Sequence, residues 1–295
     1  MPYHFFILLF NIHSLLVYFI IKVALLILLS CYSILNALFF SIDGVIVLVI
    51  KKAKEGIKIV QDIQTRVGSL EWDAIQHELD KQGFAKLPVI LTKEECEFLI
   101  GLYSTEEPYR TTINMTRYRF GEGEYKYFSY PLPEIIQSLR ESFYQELAKT
   151  ANRWLGYLKK TAQFPAQLQD FLNTCEEFEQ TRPTPLLLKY ETGGFNCLHQ
   201  DLYGDVFFPF QVVFVLNQRE QDFSGGESIL VEQIPRAQSR GHVITLDQGS
   251  ALIFPTNHRP VLGKRGYYKH TVRHGVSTIT AGDRYGLGII FHDSK

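Results

Sequence analysis

The rhythm of hydrophobic positions divides the chain into three stretches. From Phe5 to Ile50 it is almost continuous Phe, Leu, Ile and Val, and Lys22 and Asp43 are the only charges. Residues 5–21 and 23–40 each approach the ~20 apolar residues that a helix needs to cross a bilayer. Residues 1–50 are therefore expected to carry one or two transmembrane helices, as a hairpin around Lys22 or as a single tilted span. A cleaved signal peptide fits poorly, because its apolar core is typically only ~7–15 residues long. Residues 51–70 read as a charged linker, and Lys51, Lys52, Lys54 and Lys58 would hold the rest on the cytoplasmic side of a membrane. The competing expectation is a misassigned start and a cytoplasmic protein. Because Met1 and Met115 are the only methionines, a later start ahead of the folded part needs a non-methionine codon.

From Trp72 the pattern becomes amphipathic. Trp72, Ile75 and Leu79 share one stripe, which predicts a helix over residues 72–81, ended by Gly83. Residues 84–90 read as a short strand. Thr92 and Glu95 form a capping box that opens a second helix through Tyr103. Residues 110–128 mix polar and aromatic side chains around Gly121 and Gly123, the pattern of a hairpin. A long helix is predicted over residues 131–158 and another over 164–178, so residues 71–182 are expected to be a helical supporting region. After Pro183, β-rich runs take over at 186–191, 206–216, 228–231, 242–246, 250–255, 268–275 and 285–292, divided by Gly, Asp and Pro. Short strands at this spacing predict a sandwich or jelly roll over residues 183–295. The expected fold class is α+β: supporting helices and then a double-stranded β-helix, behind a membrane-anchor-like segment.

Charge and cysteine usage change this picture little. A formal net charge of −1 gives no global argument for a polyanionic partner. Cys31, Cys96, Cys175 and Cys197 show no CxxC spacing, which fits reduced thiols.

Candidate chemistry gathers in the β-rich part. His199 and Asp201 alternate with Gln200, so on an extended segment their side chains point to one side. Two imidazoles and one carboxylate can occupy one face of an iron(II) ion and leave its other positions open. His274 supplies the second imidazole, and Arg284 follows ten positions later. Arginine offers a planar, permanently charged fork that suits a carboxylate. Of the other C-terminal histidines, His258 falls in a Pro-flanked loop and His292 is nearly terminal. His270, at an even offset from His274, stays open as a rival. The bland readings are a surface His–Asp pair and an ordinary salt bridge from Arg284 to Asp283 or another acid.

From about Pro183 to His292 the chain resembles the iron(II)/2-oxoglutarate-dependent oxygenases, in particular their prolyl-hydroxylase-like branch. The resemblance is carried by Tyr190 with Gly193-Gly194, His199 and Asp201, Leu216-Asn217, Gly225-Gly226-Glu227-Ser228, Gly249 through Phe254, His274 and Arg284. Asn196 through Tyr203 and Arg273 through Ser277 are similar to a narrower bacterial group linked to oxidative repair of methylated nucleic acid; that likeness extends back to about Trp72. The resemblance implies Fe(2+) on His199, Asp201 and His274. It implies Arg284 on the distal carboxylate of 2-oxoglutarate, Tyr190 as a hydrogen-bond partner of that co-substrate, and ascorbate as an optional reductant. The implied activity is a dioxygenase that hydroxylates a C–H bond and releases succinate and CO2. Oxidative demethylation of alkylated nucleic acid and a non-catalytic metal and 2-oxoglutarate sensor are the alternatives. The substrate is open among small molecule, protein side chain and nucleic acid. Tyr109-Arg110, Arg117-Tyr118-Arg119 and Lys126-Tyr127 have the residue types that hold phosphates and stack bases, although such a cluster is commonly a solvated hairpin face.

Overall fold

The computed structural model describes residues 62–295. The expected membrane segment and most of the linker lie outside the described residues. Among the described residues, no helix is long and apolar enough to cross a membrane.

The predicted helices form where local chemistry favours them. Helix α1 (Trp72–Gln82) buries Ile75 and Leu79 and ends on Gly83 in the left-handed region at φ 87°. A Cβ at Gly83 would also lie 2.5 Å from the Arg259 side chain, so position 83 needs glycine twice over. Helix α2 (Lys93–Leu102) carries the expected capping box: Thr92 Oγ1 accepts from the Glu95 N–H at 3.2 Å, and the Thr92 N–H donates to Glu95 at 2.8 Å. A short helix, α3 (Met115–Tyr118), follows. The long helix α4 (Glu134–Tyr157) and α5 (Leu168–Glu177) come next, and residues 62–68 ahead of α1 are also helical.

Fifteen strands surround the rest of the core: β1 (Ala85–Val89), β2 (Tyr109–Asn114), β3 (Gly121–Glu122), β4 (Glu124–Phe128), β5 (Leu186–Tyr190), β6 (Phe195–His199), β7 (Phe210–Val215), β8 (Phe223–Gly225), β9 (Ser228–Gln233), β10 (Ser239–Ile244), β11 (Ser250–Pro255), β12 (His258–Gly263), β13 (Gly266–Val276), β14 (Ile279–Gly282) and β15 (Arg284–Ile290). The large sheet runs β1-β11-β7-β15-β5-β4-β2. The smaller runs β10-β9-β13-β6-β3, with β12 paired to β13. β5, β6, β7, β9, β11, β13 and β15 alternate between these two antiparallel sheets, which is the jelly-roll order; β10 and β12 widen the smaller sheet, and β8 pairs with β14 apart from both.

Period two along the strands separates a packing face from a cavity face. In β7, Phe210, Val212 and Phe214 join the core under the helices, whereas Gln211 and Val213 line the cavity between the sheets. On the helical side, Phe143 packs on Phe214 and Trp154 on Phe210, with ring centroids 6.0 and 4.4 Å apart. In β15, Leu287 and Ile289 pack under the helices while Arg284, Gly288 and Ile290 face the cavity.

Several elements depart from expectation. The strand and hairpin expected within residues 71–182 do form, but they join the barrel rather than standing with the helices: β1, β2 and β4 extend the large sheet and β3 extends the small one. Pro88 is tolerated in β1 because this strand is the sheet edge and its register shifts between Lys86 and Val89. The expected hairpin at 110–128 exists as β2 paired with β4, but α3 and β3 are inserted at its turn. The run expected from 206 begins only at Phe210, and His258 starts a strand rather than sitting in a loop.

Candidate active site

Cross-strand pairing brings distant residues together. β6 and β13 run antiparallel with His199 opposite His274, and their ring centroids are 4.2 Å apart. Asp201 lies just beyond β6. Its Oδ1 is 3.5 Å from His199 Nε2 and its Oδ2 is 3.1 Å from His274 Nε2. One ligand atom from each of the three falls within 4.8 Å of the others. In the same way β15 pairs with β5 so that Arg284 stands opposite Tyr190.

The three side chains suit a divalent iron. His199 Nδ1 is 2.7 Å from the Cys197 carbonyl, which can only accept, so Nδ1 carries a proton and Nε2 is the atom turned to the other two residues; burial works against a charge on this ring, but Asp201 raises its pKa. His274 is also oriented by Nε2 toward Asp201, and its Nδ1 is buried without a partner. Burial works against a charge on Asp201, yet the two histidines hold its carboxyl well below the usual range. Burial and the neighbouring His199 push the His274 imidazole down, toward the neutral form that binds metal.

Arg284 shares this cavity of ≈ 320 Å³ with the three residues. It is 1% exposed, and its Nε has no hydrogen-bond partner. No carboxylate pairs with it among the described residues; the rings of Tyr190 and Phe223 lie 5.8 and 6.0 Å from its guanidinium carbon. Burial lowers its pKa, but guanidinium remains a cation. Asp283, considered above as its salt-bridge partner, instead lies 3.8 Å from Lys189. Gly226 makes room for this side chain: a Cβ there would come within 2.7 Å of Arg284 Cδ, on a backbone already at φ +66°. Tyr190 is fully buried and its hydroxyl accepts from Asn196 Nδ2 at 3.2 Å. Burial, partly offset by Arg284, pushes its phenol up to about 12.

The rival histidines are occupied elsewhere. His270 does share the strand face of His274, as its even offset predicts, but four residues along a strand is roughly 13 Å. There it is bonded to Glu232, which also takes Arg259 at 2.9 and 3.3 Å. His292 is buried with Nδ1 accepting from the Phe208 N–H at 3.3 Å. His258 is pushed down to about 4 by burial and faces a different pocket.

Three residues not singled out by sequence belong to the site. The Tyr203 hydroxyl donates to Asp201 Oδ1, which orients the carboxylate. Gln200 donates to Asn257 and to the Val272 carbonyl, fixing the segment between His199 and Asp201. Gln211 lines the cavity with a buried, unpartnered amide nitrogen. Its signal was available: it is a polar residue in an otherwise apolar strand at an inward position.

Residues 123–294 match the Oxygenase-NA family, described as "Oxygenase, catalysing oxidative methylation of damaged DNA". An uncharacterised protein from two strains of Mycobacterium tuberculosis is 48% identical over 167 residues, which cover 57% of this chain and 72% of the relative. Among solved structures, a Pseudomonas putida prolyl-4-hydroxylase aligns at TM-score 0.45 and 15% identity, over 76% of this chain and 99% of that one. A Burkholderia pseudomallei oxidoreductase of the 2OG-Fe(II) oxygenase family aligns at 0.46 and 15%, over 76% and 92%. A Trichoplax adhaerens prolyl hydroxylase aligns at 0.48 and 15%, over 75% and 89%. The family match spans more than half of the chain and includes every residue of the triad and Arg284, so the chain belongs to the Oxygenase-NA family.

Proposed function

We propose that this oxygenase removes N-linked methyl groups from the bases of damaged nucleic acid, with His199, Asp201 and His274 holding iron and Arg284 holding 2-oxoglutarate. The observation that carries the co-substrate reading is the buried guanidinium of Arg284 without a carboxylate partner, in the cavity of the triad. An unpaired charge in such a place is costly unless an anion completes it. The family description supports damaged DNA as the substrate class.

With iron on His199, Asp201 and His274 and 2-oxoglutarate on Arg284, the site would supply oxidation of a substrate C–H bond by O2, one oxygen atom going to succinate and the other to the substrate, with loss of CO2. A hydroxymethyl group formed on nitrogen then breaks its C–N bond, leaving N–H and formaldehyde. The chain's residues set the conditions for this. With a metal bound, His199 and His274 would present their Nε2 atoms to it, with a proton of His199 held on Nδ1 by the Cys197 carbonyl. Tyr203 holds one oxygen of Asp201, which would orient that carboxylate toward a metal. Arg284 and Tyr190 fix the co-substrate's far end, and Leu188, Val213, Leu230 and Leu252 line an apolar wall that excludes water.

The test is product analysis of the holoprotein with N-methylated oligonucleotides. Succinate and formaldehyde should appear in equal amounts, and His199→Ala or Asp201→Ala should abolish both. Succinate with a stable hydroxylated product and no formaldehyde would overturn demethylation.

A further inference from the structure

The basic and aromatic cluster read from the sequence splits in two once folded. Arg110 donates to the Pro183 carbonyl at 3.0 Å and covers the Tyr127 ring at 4.5 Å. Lys126 donates to the Tyr103 carbonyl at 2.8 Å, and Tyr127 is buried. These residues are occupied in holding the large sheet together. Arg117, Tyr118, Arg119 and Phe120 are not.

Tyr118 and Phe120 are 49% and 47% exposed, and they stack on one another at 5.6 Å with ring planes 19° apart. Arg117 lies against the Tyr118 ring at 5.9 Å, and Arg119 is exposed beside it. Neither arginine has an ion pair among the described residues, the exposed Glu122 included. Arg119 and Phe120 also line the mouth of the cavity that holds the triad, together with the exposed Leu198 of β6.

This turn is built rather than loose. The Asn114 side chain accepts from the Arg117 N–H at 3.3 Å, capping α3. Arg119 adopts the left-handed conformation at φ 59°. The Phe120 N–H donates to the Met115 carbonyl at 3.0 Å, and the Phe120 carbonyl accepts from the Cys197 N–H at 2.8 Å. The second bond ties the turn to β6 two residues before His199.

Exposed aromatic faces with cations beside them suit bases that are free to stack and phosphates that follow them. A duplex hides its base faces, and a target base can reach a recessed triad only after leaving the stack. We propose that the turn at residues 117–120 is a platform for unpaired nucleic acid at the cavity mouth. Tyr118 and Phe120 would stack a base next to the one that enters, and Arg117 and Arg119 would hold the flanking phosphates. This rests on the nucleic-acid reading above and adds which form of the substrate is bound and by which residues.

Fluorescence anisotropy of a labelled oligothymidylate, with the full chain loaded with iron and 2-oxoglutarate and kept from oxygen, tests it. Single strand should bind at least about tenfold more tightly than a duplex of the same length. Tyr118→Ala with Phe120→Ala should weaken the single-strand complex by about tenfold or more. Tyr118→Trp should retain it, which separates stacking from folding. Arg117→Gln with Arg119→Asn should flatten the salt dependence by roughly 0.7 per arginine in the log–log slope. Equal affinity for duplex and single strand would overturn the platform, as would an unchanged affinity in the alanine pair. Polyglutamate binding as tightly as the oligonucleotide would overturn it too, and assign the turn to docking of an acidic protein. Formaldehyde release from methylated oligonucleotide, scored in parallel, separates the two readings. Its absence with binding intact sinks demethylation alone, and release unaffected by the variants sinks the platform alone.

Discussion

Two fully buried arginines sit near opposite ends of β15, and they could hardly be treated more differently. Arg140, on α4, donates to the carbonyls of Ile290 and Phe291 at 3.0 and 2.9 Å, to Asp293 at 2.7 Å and to the Tyr130 hydroxyl at 2.8 Å. Tyr130 completes the group by donating to the other oxygen of Asp293 at 2.8 Å. Arg284, at the start of β15, has a buried Nε without a partner and, among the described residues, no carboxylate paired with its guanidinium; Glu227 acts on it through its charge alone. Equal burial therefore does not mean equal purpose. A cation whose three nitrogens all find acceptors in the chain ties elements together, whereas one left open in a cavity is complementary to something the chain does not supply.

The largest effect should come from breaking the satisfied site. Arg140→Leu leaves the Asp293 carboxylate and two backbone carbonyls buried without their donor. Losing one partner of such a pair costs about 3–5 kcal/mol. The denaturation midpoint of the described fold should fall accordingly, and an unchanged midpoint would mean that Arg140 does not tie the end of β15 to α4.

Arg284→Met should do the opposite. Removing a buried charge that has no protein partner should leave the unliganded fold as stable or more so. Affinity for 2-oxoglutarate should fall by about two orders of magnitude, because charged hydrogen bonds contribute ~1.5–3 kcal/mol each. Iron affinity, measured without the co-substrate, should change much less. A second readout follows from linkage: co-substrate at about 100 times its dissociation constant should stabilise the iron-loaded wild type by about 2.7 kcal/mol, and the variant by far less at the same concentration. Equal loss of iron and 2-oxoglutarate affinity would remove Arg284 from its anchoring role.

A smaller effect is expected at Tyr203, whose hydroxyl orients Asp201 from within the site. Tyr203→Phe keeps the ring's packing on Tyr127 at 6.1 Å and removes that hydrogen bond together with the hydroxyl's contact with the Tyr127 hydroxyl. Iron affinity should drop about tenfold, in the range seen when groups behind a metal ligand are lost. Stability without iron should be nearly unchanged, which distinguishes a positioning residue from a structural one.

What could be read in advance follows the range of the forces involved. The capping box at Thr92 and Glu95 depends on residues three apart, and the helix starts where it predicts. His199, Asp201, His274 and Arg284 stood out because their spacing matched strands and turns, and the fold gathers all four in one cavity. Strands β6 and β12 were hidden, the first by polar residues on a cavity-lining face and the second by Pro260 and two charged or polar neighbours. His270 could not be separated from His274 by parity, because both do lie on one face of β13. The distinction needed Glu232 on β9 and Arg259 on β12, which only sheet pairing brings to His270. Arg140 gave no signal at all, since its acceptors are backbone carbonyls some 150 residues away.

Arg259 extends the comparison to a third buried arginine, and here the expected effect is smallest and lies in pH. Its guanidinium is held by Glu232 and by the Asp80 carbonyl at 3.1 Å, so it belongs with Arg140 rather than Arg284. Burial works against the Glu232 carboxylate, but the hydrogen bond and charge of Arg259, with His270 behind them, leave its pKa below the ordinary 4.5. The unfolded chain therefore takes up this proton more readily than the folded one, and stability rises with pH wherever that holds. The contribution is complete above the ordinary carboxylate range and is lost as pH falls through the lowered folded value. Midpoints measured from neutral pH down to about pH 3 should fall more steeply for the wild type than for Glu232→Gln, which starts from a lower stability because Arg259 has lost its anion. Arg284 has no such carboxylate to titrate, so Arg284→Met should keep the acid slope of the wild type. Parallel slopes for the wild type and Glu232→Gln would mean that the Arg259 site is no more dependent on a chain carboxylate than the Arg284 site, and the division of buried arginines into tied and open would fail at this position.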